Sequence, residues 1–246
     1  LSYSTVALGD PWALFHNQAG LGWQRDYWVG AHHENRFLVK ELGYSALGVC
    51  VPVKPGTFGF GLNHFGFSQF SRSRVGLAYG ATLGDRLAAG VGINYHDVHI
   101  AEYGSRNTFT VEGGILFQPT DKLMVGAHLF NPTHQKFTSE DDLPTMLGIG
   151  LAFKPANYLL ISTQVDDNST TKPTYRLGLE YMPVNSICFR GGFATNPLVL
   201  SFGLGWRVKG VQLDMAFSYH AVMGYSPHIS VSYTIGAKTT SSNTSP

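Results

Sequence analysis

Few residues in this chain sit where they could do chemistry, and they are scattered. Glu112, Arg176, Glu180, Arg190 and Asp214 lie among apolar residues rather than in polar stretches, as do His96, Gln212 and His228. Charges of both signs in such settings suit either a paired network that satisfies buried ions, or a polar conduction path or ligand site. The mixture of signs favours pairing, because Arg–carboxylate contacts are the usual way to keep charge inside a protein. No combination of Ser, His and Asp suggests acyl transfer. His32 and His33 are neighbours, so an extended segment turns them to opposite faces. None of the ten histidines has zinc-ligand spacing. Cys50 and Cys188 are distant and read as two unpaired thiols. The residues thus imply no enzyme activity, no metal and no cofactor.

The elements that position these groups show in the composition first. Asp, Glu, Lys and Arg make up 13% of 246 residues, about half the usual share of roughly 25%. Apolar residues reach only 43%, and 29 glycines fill the gap. Seventeen basic and sixteen acidic residues leave a formal charge of +1; with no run of like charges, no nucleic-acid partner is expected. Gly, Ser, Arg, His or Asp interrupts every long apolar stretch, so no transmembrane helix is expected. A closed barrel crosses a bilayer without leaving that signal.

Period-two alternation runs through the chain. Val211, Leu213, Met215, Phe217 and Tyr219 fall on one face, and Gln212, Asp214, Ala216, Ser218 and His220 on the other. Fourteen such segments of about ten residues, the length of a tilted membrane-crossing strand, can be placed: 24–34, 42–53, 57–66, 72–82, 86–98, 107–118, 122–131, 143–154, 157–166, 175–181, 186–193, 198–206, 211–220 and 229–235. Alternate connections are tight turns such as Lys54-Pro55-Gly56 and Val208-Lys209-Gly210. The intervening ones read as longer and more polar, with the longest at Asn131 to Leu143. This predicts an all-β fold, a 14-stranded antiparallel transmembrane barrel in the outer membrane of a Gram-negative bacterium, with short turns and both termini periplasmic. Trp23, Trp28, Tyr95, Phe117, Tyr181, Trp206 and Tyr219 are expected in the aromatic girdles.

If the apolar face meets lipid, the lumen is lined by Gly59, Gly61, Gly76, Gly90, Gly92, Gly126, Gly148, Gly150, Gly178, Gly203 and Gly205, together with the five charged residues. So small a lining implies that other backbone packs inside, or that the wall is kinked. The occupant is expected from residues 1–22. Asp10 can cap a helix whose first position is Pro11, with Trp12 to Asn17 helical and an end near Gly20. Its apolar side chains, Trp12, Leu14 and Phe15 among them, would tuck into the barrel mouth as a plug. Residues 23–236 would form the barrel and 237–246 a flexible periplasmic tail. Leu1 to Val6 lacks the features of a secretory signal, so the chain reads as mature.

The run Gly9-Asp10-Pro11-Trp12-Ala13-Leu14-Phe15-His16-Asn17-Gln18-Ala19-Gly20-Leu21 resembles the N-terminal plug of FadL-type barrels, and most closely their PorV/PorQ branch in Bacteroidota, with Gln18 where the motif has Pro. Leu177-Gly178-Leu179-Glu180-Tyr181, Phe189-Arg190-Gly191-Gly192-Phe193, Leu200-Ser201-Phe202-Gly203-Leu204-Gly205 and His228-Ile229-Ser230-Val231-Ser232-Tyr233 are similar to that branch's closing strands. The resemblance implies a non-enzymatic outer-membrane barrel with one of two functions. One is an accessory subunit of a type IX secretion system or similar machine, bound to outer-membrane lipids, a larger barrel or translocon and surface lipoproteins. The other is a passive channel for hydrophobic molecules, holding a bound lipid or detergent. Compactness favours the first, with His134, Lys136 and Phe137 of the longest loop and Tyr219, Met223 and Tyr225 of an aromatic loop as partner contacts. A channel would need a continuous apolar pocket near Leu14 and Phe15.

Overall fold

The computed structural model describes residues 4–137 and 143–236. Fourteen antiparallel strands close on themselves: β1 (Tyr27–Asn35), β2 (Gly43–Pro52), β3 (Gly56–Phe67), β4 (Phe70–Thr82), β5 (Leu87–Ile100), β6 (Gly104–Thr120), β7 (Leu123–Phe130), β8 (Met146–Ala156), β9 (Leu159–Asn168), β10 (Thr171–Val184), β11 (Ile187–Ala194), β12 (Val199–Val208), β13 (Val211–His220) and β14 (Gly224–Ile235). Each strand pairs with its sequence neighbours, and β1 closes on β14 in a register running from Tyr27 opposite Ile235 to Glu34 opposite His228. Closure leaves no free sheet edge, which is the condition hydrocarbon imposes on a spanning sheet. No helix among the described residues is long and apolar enough to cross a membrane.

Alternation fixes what faces outward. Phe58, Phe60 and Leu62 on β3, Ile149 and Leu151 on β8, and Leu200, Phe202, Leu204 and Trp206 on β12 are all exposed, Phe202 to 70%. A continuous apolar belt of this extent is far beyond what a water-facing protein surface carries and suits a lipid surround. Inside the barrel, three clusters of buried apolar side chains join wall to N-terminal segment.

Three expectations change. Trp28 is 3% exposed and faces inward, because β1 begins at Tyr27 and places its even-numbered residues in the lumen. Trp23 belongs to the N-terminal segment and packs on a buried cluster with Ala19, Ala88 and Leu116. Neither is a girdle residue, whereas Phe117, Tyr181, Trp206 and Tyr219 are exposed on the outer face. The rim opposite the chain ends is also less elaborate than expected. Its connections are two to four residues long except 36–42 and 131–145, because β6 and β10 continue as polar ladders past the apolar belt.

Candidate functional site: the plugged lumen

Residues 4–23 fill part of the barrel interior. Pro11 opens a single 3-10 turn, Pro11–Phe15, and a second follows at Gln18–Trp23. The segment is therefore two tight turns rather than the helix expected over Trp12 to Asn17, and Asp10 makes no side-chain cap. Asn17 organises the bend. Its side-chain oxygen accepts from Ala19 N at 3.2 Å, and its amide donates to Val6 O at 2.8 Å and to the wall carbonyls of Ile115 and Ala127 at 3.2 and 3.3 Å. A fully buried Asn thus ties segment to wall through hydrogen bonds that water cannot replace. Gly20 lies within the second turn, where a side chain would meet Ala13 Cβ at 2.5 Å.

Lumen-facing glycines on β2 to β8 accept this segment. A Cβ at Gly59 would lie 2.5 Å from Leu14 Cδ1, and one at Gly61 would lie 2.7 Å from Phe15 Cε1. At Gly90 it would collide with the Gln18 carbonyl, and at Gly126 with that of Val6. Leu14 and Leu21 are buried with Trp28, Cys50 and Ala78, and Trp12 packs edge-on against Trp28 at 4.9 Å. From β9, Gln164 Oε1 accepts from Thr5 N and Val6 N at 2.8 and 3.0 Å.

The charged residues divide into separate groups. Glu112 takes Arg74 Nη2 at 2.6 Å and Asn94 Nδ2 at 3.0 Å, with His128 Nε2 at 3.2 Å. Arg176 pairs with Asp166 at 2.6 Å. Arg190 lies between Glu180, at 2.7 Å, and Asp214, whose carboxylate continues through Gln212 to Arg207. Register explains the division: Glu180 lies directly opposite Arg190, while Arg176 stands four residues from Glu180 on β10, about 13 Å along a strand. Arg74, Asp166, His128 and Arg207 were missed. Period-two alternation places them on a face, but only the register shows whom they meet. Near the Glu112 group, His16 is half-buried, and burial, then His128 and Arg74, push its imidazole down to about 4, so it is neutral at pH 7.

A small recess opens beside the plug, lined by Leu14, Phe15, Gly61, Asn63, Arg74 and Glu112 among others. Its free volume of about 10 Å³ is about that of a single water site, far short of the roughly 300–1,000 Å³ usual for small-molecule sites. One wall is apolar and the other charged, so this recess is not the continuous apolar pocket expected of a channel.

Of the loop residues expected to contact partners, His134, Lys136, Tyr219, Met223 and Tyr225 are exposed and Phe137 is half-buried. Asn131, fully buried, holds the 131–145 loop through Gln135 and Leu143. His134 Nδ1 lies 2.9 Å from Thr145 Oγ1, Lys136 is exposed, and Phe137 turns in to pack edge-on against His96 at the lumen mouth. Residues 138–142 of that loop, and the tail 237–246, fall outside the described residues. Tyr219 and Tyr225 form a cross-strand ring pair at 4.9 Å on the outer face, and only Met223 belongs to the β13–β14 turn. On the other side of the mouth, Arg36 pairs with Glu34 at 3.1 Å and Phe37 N donates to Ser226 Oγ at 2.9 Å. These contacts hold the 36–42 segment, in which Phe37 and Leu38 both carry left-handed φ of 58°. Cys50 and Cys188 are buried, unpaired thiols.

No protein-family model and no curated protein matches the chain. Solved structures do. The toluene transporter TbuX of Ralstonia pickettii is 13% identical with a TM-score of 0.68 over 95% of this chain and 97% of that one. A FadL homologue of Pseudomonas aeruginosa is 11% identical with a TM-score of 0.69 over 94% and 95%. The toluene transporter TodX of Pseudomonas putida is 11% identical with a TM-score of 0.67 over 91% and 92%. None of these findings supports the PorV/PorQ branch or the secretion-accessory function expected from sequence. At such identities, what this chain shares with the FadL-type barrels is the fold, along nearly its whole length.

Proposed function

We propose that this barrel sits in the outer membrane with both chain ends in the periplasm and lets small hydrophobic compounds pass, without catalysing a reaction. The observation that carries the reading is the seated N-terminal segment with Leu14 and Phe15 beside an interior recess. Its support is that barrels of the same shape and extent are, by name, toluene transporters. The recess is too small and too charged on one side to hold a ligand as it stands, so passage requires the plug to yield by a few ångströms. The candidate cargo is a compact apolar molecule, because Leu14, Phe15 and Ala78 are the apolar side chains that line the recess.

Uptake of radiolabelled toluene by a Gram-negative host lacking its own hydrocarbon channels tests this. Cells producing the barrel should take up toluene faster than cells carrying an empty vector, and Phe15→Asp, which puts a charge in the recess, should remove the gain while the protein still migrates as a folded barrel. Equal uptake with and without the barrel would refute the proposal.

A further inference from the structure

β1 and β14, the first and last strands, meet only because the barrel closes, and their meeting assembles three ligand-type side chains. His32 and Glu34 are two residues apart on β1 and so share its lumen face. His228 is directly opposite Glu34 on β14. One donor atom from each lies within 4.8 Å of the others, with His228 Nδ1 3.9 Å from Glu34 Oε2. The geometry points to a divalent transition-metal site at this seam, with His32, Glu34 Oε2 and His228 Nδ1 as ligands and zinc as its natural occupant.

Two imidazoles and one carboxylate make the borderline donor set that zinc and its first-row neighbours favour, and that calcium and magnesium do not. Tetrahedral bonds of about 2.0–2.1 Å require donors about 3.3 Å apart, so a side-chain swing of roughly 1 Å closes the site.

The surroundings already hold the ligands in place. His228 Nε2 is 2.9 Å from Ser218 Oγ, which leaves Nδ1 turned toward Glu34. Arg36 Nε donates to Glu34 Oε1, and Oε2 faces His228 Nδ1. His32 is wedged between rings, Trp12 at 6.3 Å and Tyr44 at 6.1 Å. Such outer contacts are what orient the ligands of a metal site. Arg36 shares the Glu34 carboxylate, so an ion must bind against its charge; its side chain is 40% exposed and its guanidinium lies over the Tyr44 and Phe65 rings. Three protein ligands leave a fourth position for water. An ion here would tie the closing strands together and, through Trp12, reach the plug.

The test is zinc content of the full chain, purified in detergent with no polyhistidine tag, stripped with chelator, reloaded and desalted. About one zinc per chain is expected, and cobalt in its place should give visible absorption of tetrahedral type. His32→Ala with His228→Ala should abolish both signals, and Ser218→Ala should weaken zinc affinity by about tenfold or more. His33→Ala, on the outer face of the same strand, should change neither. Zinc retained by the His32→Ala, His228→Ala protein, or none retained by the native chain, would overturn the assignment. Heat-dependent gel migration checks that each variant is folded, so a lost signal is not a lost barrel.

Discussion

The two halves of the barrel wall solve the interior in opposite ways. From β2 to β8 the lumen face carries the glycines that peptide backbone from residues 4–23 lies against, beside the Arg74–Glu112–His128 group. From β10 to β13 the lumen face is charged, and Arg176, Glu180, Arg190 and Asp214 fill it by pairing among strands. Gly203 and Gly205 occur in this second half too, but a Cβ there would meet Ala216, Asp214, Cys188 or Arg190 rather than the plug. The same residue type thus serves a docking surface in one half and clearance for wall side chains in the other. It follows that the close packing of the plug is with β1 to β9 rather than with β10 to β13.

The sharpest way to break this contrast is Gly90→Val. A side chain there runs into the backbone of Gln18 and Ala19, which cannot rotate away as a side-chain tip can. Overpacking of this kind costs about 1–3 kcal/mol and sometimes more, comparable with the burial of Leu21 that docking secures, about 1.5–3 kcal/mol. The plug should leave its seat while the barrel stays closed. Single-channel recording in a planar bilayer should then show a steady large opening where the native protein shows none, and an unchanged trace would mean that the plug does not block the lumen.

Asn17→Ala comes next. It removes the amide that holds Val6, Ile115 and Ala127 carbonyls, and leaving such buried groups unpaired costs about 1–3 kcal/mol. The loss should be local. Hydrogen exchange should quicken by roughly tenfold or more in residues 4–23, at 1.4 kcal/mol per decade, while amides of β10 to β13 keep their protection.

Arg190→Gln probes the other half. It strands Glu180 and Asp214 beside each other, a change that costs about 3–5 kcal/mol in a dry interior. These carboxylates are 15% and 17% exposed to a lumen that water can enter, so about 1–2 kcal/mol is expected after screening. The deficit should shrink as pH falls through the carboxylate range, because protonating either acid removes the repulsion that the substitution creates. Thermal unfolding at pH 7 and pH 4 measures this, and a deficit that grows on acidification would show that Arg190 is not balancing these acids.

The contrast between the halves was only half legible in the sequence. Strands could be placed because one face meets lipid, which forces an apolar residue at every second position, as from Leu198 to Trp206 and Val211 to Tyr219. Where both faces are polar that signal fails, so Gly104 to Arg106 and Thr171 to Pro173 read as loop although their ladders continue. Lumen glycines announced that something lies close but not what, because the absence of a side chain carries no information about its neighbour. Arg74 with Glu112, and His32 and Glu34 with His228, are cross-strand relations that depend on register and closure. Asp10-Pro11 suggested a helix start, but the tight bend at Asn17 and the packing of Gly20 on Ala13 cut the segment into two 3-10 turns.

The smallest effect is expected from Gly203→Ala, and it is informative for that reason. The added methyl would sit 3.3 Å from Ala216 Cβ and 3.4 Å from Met215 O, a tight approach that a shift of a few tenths of an ångström relieves, with Arg190 Cβ farther off at 3.7 Å. None of these three nearest atoms belongs to the plug. The substitution also reduces the conformational freedom of the unfolded chain, which favours the folded state by about 0.4–1 kcal/mol and offsets the crowding. Stability should therefore stay within about 0.5 kcal/mol of the native protein, with no change in conductance or in exchange of residues 4–23. If Gly203→Ala opened the channel as Gly90→Val is expected to, the plug would be touching both halves of the wall, and the division of labour between them would fall.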